Sequence, residues 1–175
     1  MKKLETLLKD YANHVAERAT KGIPPLPLNA EQTNCVTQLL EQENNIESAY
    51  LLDLLINRVP PGVDEAAYIK ASWLTAIVNG EKQCKYINPQ KAIHLLGTMI
   101  GGYNVNSLIE ILKSKNNLLA KEAAKVLKNI ILVYDAANDI FDLSQHNIYA
   151  EEVVNSWANA EWFTNKDSLP TVITC

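Results

Sequence analysis

No stretch of this 175-residue chain is apolar for the roughly 20 residues that a bilayer crossing needs. Its start, Met1-Lys2-Lys3, is basic, yet Glu5, Lys9 and Asp10 interrupt the place where a secretion signal would run unbroken and apolar. Cysteine is scarce. Cys35, Cys84 and Cys175 are odd in number and far apart, which does not suit a disulfide framework. No close pair such as Cys-x-x-Cys exists, although an iron–sulfur site usually draws two ligands from one tight loop. Together these absences lead us to expect a cytoplasmic protein with buried or incidental thiols.

Catalytic patterns are equally sparse. His14, His94 and His146 stand alone, without the His-x-x-x-His spacing that lets two imidazoles share a zinc ion from one helix face. No Gly-x-Ser-x-Gly turn presents a serine nucleophile. Gly97 with Gly101 and Gly102 lies at a helix end rather than between strand and helix, so it does not read as a phosphate cradle. The formal net charge of −4 gives no whole-chain attraction to phosphate backbones or anionic lipid.

Apolar residues make up 47% of the chain and charged residues 21%, so a globular domain with a real core is expected. Periodicity is helical nearly throughout. Leu4, Leu7, Leu8, Tyr11 and Val15 form one stripe on a first helix, ended by Gly22 at its C′ position. Pro24, Pro25 and Pro27 force residues 23–28 to be extended. Asn29 with Gln32 has the capping-box spacing for a second helix through Val36, Leu39 and Leu40, fading over 41–45. A short third helix covers 50–56 and stops before the turn Pro60-Pro61-Gly62.

Asp64 caps a fourth helix through Trp73 and Ile77, closed by Asn79-Gly80. Asn88-Pro89 starts a fifth, which carries Ile93, Leu96 and Ile100 and ends at Gly101-Gly102. A sixth is expected over 107–113, a seventh over 117–134 and a last over 149–163 with Val153, Trp157 and Ala160 on one side. Short Pro/Gly turns and no convincing strand predict an all-α fold, an irregular array of antiparallel helix pairs. The tail from Leu169 to Cys175 is β-branched and extended, without a partner strand.

Few groups remain as candidates for chemistry or contact. Asp135, Asp139, Asp142 and His146 fall at i, i+4, i+7 and i+11, one face if that stretch is helical, and form a weak candidate for Mn²⁺ or Fe²⁺. A solvated acidic face is the more ordinary account. Trp73 and Trp157 are expected in the core, whereas Tyr103 and Trp162 are candidate interface anchors. Two rigid turns are candidate contact points: Asn57, Arg58, Pro60, Pro61 and Gly62, and Gly101, Gly102, Tyr103 and Asn104. Equally, they could serve only to set the angles of helix pairs. Lys113, Lys115, Lys121, Lys125 and Lys128 are the one basic run.

Four stretches are more specific than periodicity. Residues 51–68, reading LLDLLINRVPPGVDEAAY, and 91–104, reading KAIHLLGTMIGGYN, resemble the N-terminal domain of the aconitase B family. So do Ser156-Trp157-Ala158-Asn159-Ala160-Glu161-Trp162-Phe163 and His14-Val15-Ala16-Glu17-Arg18-Ala19 with Gly22-Ile23. The resemblance covers nearly the whole chain in collinear order and is weaker over 41–47 and 140–149. It implies a HEAT-like helical domain over 1–165, with 166–175 resembling the start of a β/α swivel domain.

The resemblance further implies a full enzyme that interconverts citrate and isocitrate through cis-aconitate on a [4Fe-4S] cluster held by three cysteines. Those ligands and the substrate-binding residues belong to parts absent here, so no catalytic, cofactor-binding or metal residue carries over, and Cys35, Cys84 and Cys175 are not the cluster cysteines. The expectation is a non-catalytic docking domain whose partner is another copy or an aconitase catalytic body, with no membrane role. The alternatives are an RNA-binding regulatory module and a component that is active only when complemented by the missing domains.

Overall fold

The computed structural model describes residues 2–42, 47–130, 133 and 135–160, with the side chains of 2–5 left aside. Every regular element among them is an α-helix, as the periodicity predicts. A first compact unit runs to Asn104 and a second begins at Val105.

The first unit contains α1 (Lys2–Thr20), α2 (Ala30–Leu40), α3 (Ser48–Asn57), α4 (Glu65–Val78) and α5 (Pro89–Leu96). α2 packs against α1, α3 and α4, and α4 packs on α5. Most starts follow from local chemistry. Asn29 and Gln32 complete a reciprocal capping box, while Asp64 and Asn88 accept from the third amide of their helices. Gly22 and Gly80 close α1 and α4 with φ of 66° and 76°, a left-handed conformation open to glycine at little cost.

The second unit contains α6 (Val105–Leu112), α7 (Asn117–Leu127), α8 (Ala136–Ser144) and α9 (Ile148–Ala158). α6 pairs with α7, α8 with α9, and α7 also packs on α9. Leu108, Leu112, Ala123, Leu127, Ile140, Ala150 and Val153 form its buried core.

Several expected boundaries shift. The fifth helix ends at Leu96 rather than at Gly101, which leaves Ile100 outside it and 58% exposed. The seventh ends at Leu127, where Lys128 and Asn129 form a turn. The last helix ends at Ala158, and 161–163 lie outside the described residues. α8 occupies the stretch that the sequence marks only as a conditional acidic face; Ile140 and Leu143 are its buried positions, while Phe141 is exposed.

What stops these short helices is largely non-local. An α-helix leaves its last four carbonyls without partners, a penalty when the end is buried. Here distant side chains supply the donors. Cys84 Sγ donates to the Leu40 carbonyl at the end of α2 (3.4 Å), and Asn104 Nδ2 donates to that of Leu96 at the end of α5 (2.7 Å). Asn147 Nδ2 donates to the Leu112 carbonyl of α6 (3.0 Å), and Trp157 Nε1 to the Leu127 carbonyl of α7 (3.2 Å). Trp157 is thereby half-buried rather than fully in the core, whereas Trp73 is 4% exposed and donates to Glu41 Oε1 at 2.7 Å. Lys82 pairs with the same Glu41 carboxylate.

The extended segment after α1 is held by three side chains of one helix face. Tyr11 Oη donates to the Leu26 carbonyl (2.8 Å), and Arg18 Nε donates to the Pro24 carbonyl (2.6 Å). Between them His14 Nε2 accepts from the Leu26 amide (3.1 Å). The positions 11, 14 and 18 share a face because of the 3.6-residue helical period. Leu28 then donates its amide to the Arg58 carbonyl at the end of α3 (2.8 Å). No helix among the described residues is long and apolar enough to cross a membrane.

Candidate docking site

The two turns singled out in the sequence meet in the structure. α3 ends at Asn57, and Arg58 turns the chain into Val59, which is buried, and then Pro60 and Pro61. The Pro61 carbonyl accepts from the amides of Ile100 (2.9 Å) and Gly101 (3.2 Å). At this crossing the backbones nearly touch. A Cβ on Gly101 would overlap the Gly62 carbonyl and lie 2.9 Å from the Val63 nitrogen, so only glycine fits. Gly102 follows at φ 93°.

Tyr103 and Asn104 complete the junction in opposite ways. Tyr103 Oη donates to the Val63 carbonyl (2.9 Å), and its ring meets the edge of Tyr68 with centroids 5.4 Å apart. Such edge-to-face pairs are favourable because the ring quadrupole attracts a positive edge. Asn104 is fully buried and donates from Nδ2 to Leu96 and, at 3.0 Å, to Met99, while its Oδ1 has no partner among the described residues. Asn57 stays on the surface, bonded to Asp53 one turn back (2.8 Å). Trp162 lies outside the described residues.

On this rigid base sits an apolar surface that the pattern did not reveal. Val63, Tyr68, Ile100 and Tyr103 are exposed by 69, 57, 58 and 40%. Tyr103 is tied to Val63 by its hydrogen bond and to Tyr68 by the ring contact, and Ile100 is held at the same junction through the Pro61 carbonyl. Ile100 was missed because its spacing from Ile93 and Leu96 mimics a helix stripe. Val63 and Tyr68 flank a helix start, where periodicity says nothing about outward aim.

Asp135, Asp139, Asp142 and His146 are all exposed, and α8 ends at Ser144, two residues before His146. Gln145 and His146 form the turn that follows, their amides bonded to the Asp142 and Leu143 carbonyls. Asp139 instead stands in the first turn of α8, where a carboxylate complements the helix dipole. Among the described residues no three His, Cys, Asp or Glu side chains converge as metal ligands. Cys35 is buried, its thiol held above its ordinary pKa first by burial and then by Glu31, and Cys84 is occupied with Leu40. The described cysteines therefore do not fit an iron–sulfur cluster. In the basic run, Lys113, Lys125 and Lys128 pair with Glu110, Glu122 and Glu152 at 2.7, 2.6 and 2.9 Å.

The profile of the aconitate B N-terminal domain matches residues 10–163. This chain belongs to that family. It is 54% identical over 168 residues to aconitate hydratase B of Synechocystis sp. and 48% identical over 169 residues to that of Escherichia coli K12. To the Helicobacter pylori J99 protein of the same name it is 46% identical over 166 residues. These alignments cover 95–96% of this chain but 19% of each relative, so the chain spans about a fifth of the length of the relatives it matches. The junction Pro61–Gly62 against Gly101–Tyr103 and the clamp of His14 and Arg18 both lie on stretches that carry the family resemblance.

Proposed function

We propose that this chain is the docking domain of an aconitate hydratase B-type protein, a HEAT-like helical module that works by protein contact and performs no hydration alone. The observation that carries this reading is the exposed apolar surface of Val63, Tyr68, Ile100 and Tyr103 on a locked junction. Clustered exposed apolar side chains on a rigid base favour association, because burying them gains hydrophobic free energy at little cost in ordering. The isomerisation of citrate through cis-aconitate, and the [4Fe-4S] cluster that supports it, belong in this reading to the remaining length of such a protein. Its place is the cytoplasm.

Light scattering across a concentration series, with and without ferrous iron, tests self-association, and titration against a full-length aconitate hydratase B tests docking to the catalytic body. A strict monomer that fails to bind the full-length protein refutes the reading. Tyr68→Asp is expected to weaken association at least tenfold while leaving the helical spectrum unchanged. The isolated chain is expected to show no hydration of cis-aconitate. An RNA-binding role gains no support, since three lysines of the basic run are already paired with glutamates.

A further inference from the structure

Within the first unit a cleft of about 520 Å³ opens between the start of α2 and the start of α4. Its walls are Pro27 and Pro60, with Leu28 and Ala66 behind them and Leu26, 55% exposed, at the rim. The walls are held in advance. Tyr11 and His14 fix Leu26 by both its carbonyl and its amide, and Leu28 is bonded to Arg58. A strand cannot be added along this edge, because the Leu26 and Leu28 amides are taken and Pro27 has none. An occupant must therefore enter by its side chain.

The two charged residues that line the cleft are of one sign, and Arg58 lines an adjoining recess against the same Pro27 and Pro60. Asp64 and Glu65 line the cleft, both are exposed, and neither has an ion-pair partner among the described residues. None of the described lining residues is basic. The positive ends of α2 and α4 do not cancel this charge. Their amides are capped by Asn29 Oδ1 and Asp64 Oδ1, which leaves Asp64 Oδ2 and the whole Glu65 carboxylate facing outward.

We propose that this cleft receives an arginine side chain from an apolar segment of a partner protein. The inference rests on the docking reading above and names the chemistry of the partner. Arginine fits better than lysine for physical reasons. Its guanidinium is weakly hydrated, lies flat against apolar walls and forks between two carboxylates, whereas an ammonium is a strongly hydrated point charge. The methylene stem packs on Pro27 and Pro60, and the flanking apolar residues of the segment cover Leu26.

The test is a titration of the isotope-labelled chain with a capped Leu-Arg-Leu tripeptide, followed through the amides of Leu28, Ala30 and Ala66. The control peptide has norleucine in place of arginine. Binding of the arginine peptide is expected to be at least tenfold tighter and to weaken with salt. The double variant Asp64→Asn, Glu65→Gln removes that advantage, and it stays folded because asparagine caps a helix as well as aspartate. No shifts at these amides with millimolar peptide, or equal binding by the double variant, overturns the inference. So does a concentration-dependent mass that the double variant abolishes, since the occupant is then a second copy. If the peptide binds but the chain docks to no full-length relative, the docking reading fails and the arginine preference of the cleft stands.

Discussion

Lys70 is the strongest conflict between local sequence and packed structure. It is 2% exposed on the buried face of α4, between Ala67 and Trp73. Its ammonium reaches one carbonyl, that of Ile56 near the end of α3, at 3.4 Å. A cation near a helix C-terminus gains from the dipole, but the gain is a fraction of the cost of lost hydration. Burial accordingly lowers its pKa from 10.5 to about 8.

That difference corresponds to about 3 kcal/mol by which folding is penalised at neutral pH, where the amine is protonated in both states. Lys70→Met keeps the stem, removes the charge and loses one long hydrogen bond. It is expected to stabilise the first unit by about 2 kcal/mol at pH 7. Urea unfolding read by Trp73 fluorescence, with Trp157→Phe and Trp162→Phe in both proteins, measures this directly.

The pH dependence has a definite sign. Between about pH 8 and 10.5 the folded wild type has released the proton that the unfolded chain still holds, so its penalty fades as pH rises. The advantage of the variant must therefore shrink across that window. Tyr11 and Tyr50, whose phenols burial holds above their ordinary pKa, lower alkaline stability alike in both proteins and cancel in the difference. An advantage that stays constant with pH, or a variant less stable than wild type, refutes the desolvation argument.

Three further substitutions probe other parts of the fold. Gly101→Ala forces a Cβ into the Gly62 carbonyl and should destabilise the first unit by about 3 kcal/mol in the same urea assay, whereas Gly62→Ala, with open space around it, should cost less than about 1. Asn104→Ala strips the donors from the Leu96 and Met99 carbonyls and should cost about 2–3 kcal/mol, with faster amide exchange at the end of α5. Thr33→Val replaces a fully buried hydroxyl that has no partner among the described residues and should raise stability by about 1 kcal/mol, read as a higher urea midpoint at unchanged slope.

The all-helical class, most helix starts and the extended proline segment were legible from the residues alone, because their causes are local. Asn29 with Gln32, Asp64, and Asn88 before Pro89 act on amides within three residues of themselves, and proline restricts its own backbone. The family was legible for a different reason: long collinear words survive whatever the fold does with them. Helix ends were not legible where a side chain far along the chain supplies the missing donor, as Asn147 and Trp157 do. The four-residue acidic face likewise reaches beyond its helix, which stops at Ser144 before His146.

The candidate site divides along the same line. Composition marked Asn57–Gly62 and Gly101–Asn104 as unusual turns, because proline and glycine have few other uses at such density. Only the tertiary structure decided that the turns meet, that Gly101 is demanded by the Gly62 carbonyl, and that Val63, Tyr68 and Ile100 face outward while Asn104 and Lys70 are buried. Periodicity assigns residues to one face of one helix, whereas burial depends on which second element that face meets.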